Sequence, residues 1–164
     1  MQFVLACVSC SSLIRWKTRF VVRINDGPAL PWVIMLRQHE IEIRVRYQET
    51  DAQGRVHHAN YFNYFEMGRI ELLRAAGLSY REIEQQGWML VVSNIQCRYF
   101  RPANYDDIIT LTTTTTRAKG ARIEHAYRIT CDGELLAEGS SQIACVDQDG
   151  NVCRLPEQLQ VIDT

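Results

Sequence analysis

Residues 41–77 read IEIRVRYQETDAQGRVHHANYFNYFEMGRIELLRAAG, and the order in which they change character decides the fold. The first seven, Ile41-Glu42-Ile43-Arg44-Val45-Arg46-Tyr47, alternate apolar and polar strictly. That is how a strand reads when one face is buried and the other is wet. A polar loop follows, punctuated by Gly54. Asn60 is then placed as the N-cap of a helix from about Tyr61 to Ala76, with Gly77 as its stop. Asparagine offers an acceptor to the free N–H groups of a first turn, and glycine accepts the left-handed end. Phe62, Phe65, Arg69, Leu72 and Leu73 fall near one face of this helix, and Tyr61, Tyr64 and Met67 widen its apolar side. A helix so broadly apolar is one that a sheet wraps.

Working toward the C-terminus, Ser79 followed three residues later by Glu82 reads as a capping box opening a short second helix. Beyond Gly87 the text is strand-like: Leu90 to Phe100, then Ile108 to Thr116, Arg122 to Cys131 and Glu134 to Val146. Arg101-Pro102 stops the first run, and the second is rich in β-branched threonine. Asp132-Gly133, between the last two runs, is the strongest hairpin signal in the chain. The pattern predicts an α+β fold: one strand, a long helix, a short helix, then four strands in antiparallel succession. The long helix is the only element large enough to cover one face of a five-stranded antiparallel sheet.

At 164 residues the chain suits one buried core and not two ordinary domains. A net charge of −1 leaves no basic excess to neutralise phosphates, so a nucleic-acid partner is not expected. No apolar run reaches the ~20 residues of a membrane span. Cys97, Cys131 and Cys145 lie in apolar, strand-like text and Cys153 near the end, with no close pair among the four. Cys7 and Cys10 form a lone C-x-x-C without a histidine nearby. Reduced thiols, no metal and a cytoplasmic protein are the expectation. Residues 1–34 differ from the rest: Arg15, Lys17, Arg19 and Arg23 stand against one acid, Asp26, and without them the body carries a net charge of −4. They are expected to be upstream sequence ahead of a start at Met35, or else a poorly ordered extension, with residues 35–164 forming the domain.

The loop from Tyr47 to Tyr61 concentrates residues capable of chemistry. The helix that follows presents unpaired N–H groups and a partial positive charge, which suit a carbonyl oxygen turning into an oxyanion. A carboxylate just ahead of it can attack the same carbonyl carbon or activate water against it. Asp51 is the first candidate. Glu49 is the other, and strand alternation points it elsewhere. Asp51 also has a structural reading, capping its own turn through backbone N–H groups two or three residues on. Asn60 reads as a helix cap that orients the loop, and Tyr47 as a packing and hydrogen-bonding residue.

The pattern Y-x-x-T-D-x-x-G-x-V-x-H-x-N-Y, carried by Tyr47, Thr50, Asp51, Gly54, Val56, His58, Asn60 and Tyr61, resembles the hotdog-fold thioesterases of the 4-hydroxybenzoyl-CoA and YbgC-like type. Arg98 to Asp107 is similar to that family's Y-x-x-P-A-x-x-G-D turn, except that Tyr105-Asp106-Asp107 lacks the glycine before the aspartate. The likeness spans about residues 38–160. It implies a hotdog fold and hydrolysis of acyl-CoA or acyl-carrier thioesters. Asp51 would be nucleophile or general base, and His58 would donate its backbone N–H to the thioester carbonyl, with the side chains of His58 and Tyr47 assisting. No cofactor is implied, coenzyme A being part of the substrate. Asn60, Tyr61 and Phe65 would border the acyl group, which is expected in an apolar slot near Phe62, Phe65 and the strand beginning at Val91. Arg117, Lys119 and Arg122, the densest basic cluster, are candidates for the phosphorylated adenosine, against the reading of a solvated hairpin tip. The family also pairs its protomers, so a homodimer or homotetramer is expected, relieving exposed edges along Ile108–Thr116 or Glu134–Val146. Two other readings compete: a hotdog dehydratase acting on hydroxyacyl thioesters, and a non-catalytic acyl-CoA-binding module.

Overall fold

The computed structural model describes residues 37–160. The expectations for residues 1–34, including the Cys7/Cys10 motif and the start at Met35, lie outside them. In chain order the elements are β1 (Gln38–Arg44), α1 (Asn60–Ala75), α2 (Tyr80–Gln85), β2 (Met89–Tyr99), β3 (Ile108–Lys119), β4 (Arg122–Cys131) and β5 (Glu134–Val146). Single 3-10 turns stand at Tyr47–Glu49 and Glu157–Leu159. The sheet has five strands, every pair antiparallel, wrapped around the one long helix as the sequence pattern and the resemblance predict.

The strand order is β1-β3-β4-β5-β2. Simple succession therefore fails for β2, which pairs with β5 and not with β3. The connection from Phe100 to Asp107 carries the chain to the far side of the sheet, where β3 meets β1. This corrects the expected edges. Ile108–Thr116 and Glu134–Val146 belong to interior strands with partners on both sides, and the open edges are β1 and β2. The Asp132-Gly133 hairpin forms as predicted, with φ of 49° and 82°. Both residues sit in the left-handed region that a tight two-residue turn demands.

Period-2 alternation explains the threonine-rich strand. Thr112 and Thr114 face outward, and their hydroxyls reach Glu40 and Gln38 of the neighbouring strand at 2.8 and 3.3 Å. Thr113 and Thr115 face α1 and are buried. The helix presses its Tyr61, Tyr64, Phe65, Leu72 and Leu73 into the sheet, whereas Met67, expected on that side, is exposed. Closest approach is at Gly68, where any Cβ would collide with the side chains of Thr113 and Leu111. Likewise Phe65 lies over Gly139, with its ring stacked on Tyr127 at 4.2 Å.

One capping expectation is corrected. Ser79 does precede α2, but its side chain makes no capping bond, the first turn being held by its carbonyl. The cysteines also differ from their sequence reading. Cys145 and Cys153 are brought together by the backbone pairing that follows β5, with Sγ atoms 3.5 Å apart as free thiols. Eight residues of separation hide a cross-strand neighbour.

Candidate active site at the N-terminus of the long helix

β1 ends at Arg44, earlier than the alternation suggests, because Tyr47–Glu49 winds into a 3-10 turn. That turn drives Glu49 into the interior, where it is only 6% exposed. Its Oε1 accepts from Arg46 Nε and Nη2 at 2.9 and 2.6 Å. Its Oε2 accepts from the Arg46 backbone N–H at 2.7 Å and the Tyr64 hydroxyl at 3.0 Å. Burial alone would raise this carboxyl's pKa, but the bonds from Arg46 and Tyr64 outweigh it and hold the group below the usual carboxylate range. Burial and the Glu49 charge push the Tyr64 hydroxyl upward, so it stays a donor. Glu49 thus ties the strand end to α1.

The Glu49 carbonyl accepts from the His57 N–H at 2.9 Å and from Asn60 Nδ2 at 2.7 Å. Asn60 is therefore no helix cap. It lies inside α1, Ala59 stands at the cap position, and the amide is used to hold the loop. The orienting half of its expected role is what the structure shows.

Asp51 starts the tight part of the loop. Its N–H donates to the Arg55 carbonyl at 2.8 Å, its carbonyl accepts from Gly54 N–H at 2.9 Å, and Thr50 bridges Val56. Gly54 takes φ +73°, a conformation that side chains resist. Oδ1 of Asp51 accepts from the N–H of Gln53 at 2.8 Å and, weakly, of Arg55 at 3.5 Å. The turn-capping reading is therefore real for one oxygen. Among the described residues, Oδ2 has no hydrogen-bond partner.

His58 follows, just ahead of the first turn of α1. Among the described residues its backbone N–H donates to no protein acceptor, while its carbonyl accepts from the Tyr99 hydroxyl at 3.0 Å. Burial and neighbouring Cys97 push the Tyr99 hydroxyl up to about 12, so it remains protonated and a donor. Tyr99 comes from the end of β2, and sequence reasoning missed it because no local pattern ties it to residue 58. The orphan N–H, at the positive end of a 16-residue helix, is a site for a developing negative charge.

The remaining candidates are dispersed. Tyr47 is 77% exposed and meets Tyr105 edge-on at 5.7 Å, while its carbonyl accepts from the Thr50 hydroxyl at 2.7 Å. Tyr61 and Phe65 are core residues, 2% and 0% exposed, so within this chain neither lines an acyl slot. The helix turns both toward the sheet. Arg117, Lys119 and Arg122 cluster at the β3–β4 hairpin, with Arg117 facing Glu124 at 3.9 Å. Ile108, at the other end of β3, pairs with Arg44 beside the loop. Nine and eleven residues of strand, about 30 and 36 Å, separate Arg117 and Lys119 from that end, and Arg122 lies opposite Lys119.

The second motif meets the first. Val56 N–H donates to the Ala103 carbonyl at 2.9 Å, Arg55 bridges Asn104, and Asp107 Oδ2 accepts from the Asn104 N–H at 2.7 Å. Asp106, at the place where the resembled motif has glycine, takes φ +70°. Aspartate is among the few side chains that enter this region readily. The turn survives the substitution with its glycine-like backbone intact.

A cavity of about 240 Å³ opens between α1 and β2, walled by Ile70, Leu73, Leu90, Val92, Ile123 and Ile143. It lies one to two helical turns beyond the slot expected near Phe62 and Phe65. The inward row of β2 runs Leu90, Val92, then, past a bulge at Ser93, Ile95, Cys97 and Tyr99. The strand that walls the cavity thus continues on the same face to Tyr99, which meets the His58 carbonyl. Among the described residues no helix is long and apolar enough to cross a membrane, and no group of three or more His, Cys, Asp or Glu is placed to hold a metal ion.

Comparison with known proteins bears on the family and the fold. The acyl-CoA thioesterase YbgC of Haemophilus influenzae is 34% identical over 106 residues, 64% of this chain and 78% of that protein. The crystal structure of a hypothetical protein from Aquifex aeolicus matches with a TM-score of 0.71 at 31% identity, covering 74% of this chain and 99% of that one. That of a DHNA-CoA thioesterase from Staphylococcus aureus matches at 0.70 and 30% identity, covering 72% and 80%. The family model for the thioesterase-like superfamily matches residues 45–161, from the end of the first strand through loop, helices and all the later strands. The chain belongs to the thioesterase-like superfamily and has its hotdog fold.

Proposed function

We propose that the chain hydrolyses acyl-CoA thioesters, with Asp51 as the working carboxylate and the His58 N–H as the oxyanion donor. One observation carries this reading: an unpaired carboxylate oxygen and an unpaired backbone N–H stand on one tightly bonded loop at the start of α1. The thioester carbonyl oxygen accepts from the His58 N–H, which strengthens as negative charge develops. Oδ2 of Asp51 then attacks the carbonyl carbon, or takes a proton from the water that does. Either way the C–S bond breaks and the thiolate leaves as thiol on taking up a proton. In the first route water then attacks the acyl carbon of the anhydride and frees Asp51, so that in both water supplies the acid's oxygen. Oδ1 stays bonded to the loop and aims its partner oxygen. The His58 imidazole and the Tyr47 hydroxyl lie at the loop surface as candidates to assist.

Arg117, Lys119 and Arg122 are too far along β3 to serve the Asp51 of their own chain. They are proposed to hold the phosphorylated adenosine of a partner's substrate, in a homodimer or homotetramer that also covers an open sheet edge. Acyl carrier protein is an alternative carrier to coenzyme A. No cofactor takes part, and the proposed compartment is the cytoplasm, where the Cys145 and Cys153 thiols stay reduced.

The test is thiol release from a panel of acyl-CoAs by wild type and Asp51→Asn. Loss of turnover with retained substrate binding is expected. Undiminished turnover removes Asp51 from its role, and no release from any acyl-CoA by wild type leaves a binding module. Rapid-quench mass spectrometry separates the two routes, because only nucleophilic attack passes through an acyl–Asp51 anhydride. A monomeric sedimentation profile of active protein overturns the assembly.

A further inference from the structure

The sheet contributes one polar side chain to the lining of the apolar cavity between α1 and β2, His125. Thr115, His125 and Ser141 lie in register across β3, β4 and β5, facing the helix. Ser141 shares a 2.6 Å hydrogen bond with the Tyr127 hydroxyl, and that hydroxyl accepts from Arg69 Nη1 at 3.0 Å. His125 differs. It is 5% exposed, it lines the cavity, and its Nδ1 has no partner among the described residues. Such a group costs stability unless something in the cavity pairs with it. Burial, helped by the positive charge of Arg69, depresses its pKa to about 3, so at neutral pH the imidazole is uncharged. It then offers one donor and one acceptor nitrogen.

Tyr80, whose hydroxyl is taken up by the Leu90 backbone at 3.4 Å, and two charged side chains of α1, Glu66 and Arg69, complete the lining. An alkyl tail would leave His125 unpaired. A terminal carboxylate would face Glu66, and an ammonium would face Arg69. A hydroxyl suits all three, since it can donate to an imidazole nitrogen or to Glu66 and accept from Arg69. The position of the cavity sets the reach. On α1 its wall continues the stripe Ala59, Phe62, Glu66, Arg69 and Leu73, which begins beside the proposed oxyanion donor. From Ala59 to Arg69 the helix rises about 15 Å, the span of an extended chain of roughly twelve bonds.

We propose that this cavity selects acyl chains of about twelve carbons carrying a hydroxyl at the far end, with His125 as the residue that recognises it. The inference rests on the reading of the chain as an acyl-thioester hydrolase and names the substrate class of that site. Rings bonded directly to the thioester carbonyl would end well short of His125.

The experiment compares kcat/KM for 12-hydroxydodecanoyl-CoA and dodecanoyl-CoA. Wild type is expected to favour the hydroxylated chain by about tenfold, the worth of one buried hydrogen bond. In His125→Phe, shown folded by circular dichroism, the ratio should collapse toward one. His125→Asn, which keeps a polar side chain, should retain part of it. Equal kcat/KM for the two substrates in wild type overturns the proposal and identifies the lining around His125 as a hydration site. A preference that persists in His125→Phe overturns the role of His125. If no acyl-CoA is cleaved, the thioesterase reading fails instead. Calorimetric titration with 12-hydroxydodecanoic and dodecanoic acids still decides the cavity, since equal affinities sink the proposal.

Discussion

Glu49 and Asp51 stand two residues apart, and the fold treats their two stretches of loop in opposite ways. The 3-10 turn ending at Glu49 buries its carboxylate under four hydrogen bonds, leaving both oxygens occupied. The turn beginning at Asp51 uses one oxygen for backbone N–H groups and leaves the other free. A carboxylate saturated by an arginine and a tyrosine is an anchor. One held by a single oxygen, at the mouth of a helix, is positioned and still reactive. The difference teaches that the anchor makes the reactive group usable: the Glu49 carbonyl holds His57 and Asn60, and so sets where the His58 N–H points.

Exchanging the two carboxylates for amides is the strongest attempt to break this contrast. Asp51→Asn should lower kcat by about 10³-fold, roughly 4 kcal/mol of barrier, with the melting temperature nearly unchanged. Thiol release and calorimetry on one preparation check both halves. Glu49→Gln should do the reverse. It leaves a buried amide beneath donors meant for a carboxylate, costing about 3 kcal/mol in urea unfolding. Turnover per folded molecule should fall much less than in Asp51→Asn. If Glu49→Gln is as stable as wild type and as inactive as Asp51→Asn, the assignment of anchor and reactive group is inverted.

Acid extends the contrast to the cavity between α1 and β2. His125 has a depressed folded pKa of about 3, so between that value and the unfolded value near 6.5 the unfolded chain binds a proton that the folded chain does not. Its neutral burial therefore costs nothing extra above about pH 6.5, and stability falls as pH drops below it. About 2 kcal/mol should be lost between pH 7 and pH 5 on this account. His125→Phe should flatten that portion of the stability profile. Glu49, with its pKa lowered, acts in a different window: its contribution is full above its unfolded value and is lost only as pH falls further. Two separate acid limbs, each removed by its own substitution, would show that loop and cavity are independent devices.

The smallest effect concerns aim alone. Tyr99→Phe removes the hydroxyl that holds the His58 carbonyl. It should lower kcat about fivefold, near 1 kcal/mol, with KM and melting temperature little altered. A change confined to KM would place Tyr99 in substrate binding and not in setting the His58 peptide.

Much of this molecule was legible along the chain. The alternation of residues 41–47, the helix after residue 60 and the Asp132-Gly133 hairpin are local, because strand pleat, helical period and turn conformation act over a few residues. The loop that carries the candidate chemistry was legible for the same reason, as a polar interval ahead of a helix start. What escaped is what depends on distant partners. Alternation pointed Glu49 away from any role, yet a 3-10 turn and Tyr64, fifteen residues on, turned it into the anchor. Asn60 looked like a cap because caps are local, and it was taken instead by the Glu49 carbonyl.

By itself the sequence determined the inventory of strands and helices, the α+β class and the loop bearing Asp51 and punctuated by Gly54, since each follows from short-range sterics and periodicity. Only the tertiary structure decided the order β1-β3-β4-β5-β2, the burial of Tyr61 and Phe65, the distance of Arg117, Lys119 and Arg122 from the loop, and the pairing of Tyr99 with His58. It also decided that His125 faces a cavity with no partner of its own. These depend on which strands become neighbours after the chain crosses the sheet. That choice is made by burying the whole face of α1 at once, and no window of a few residues contains it.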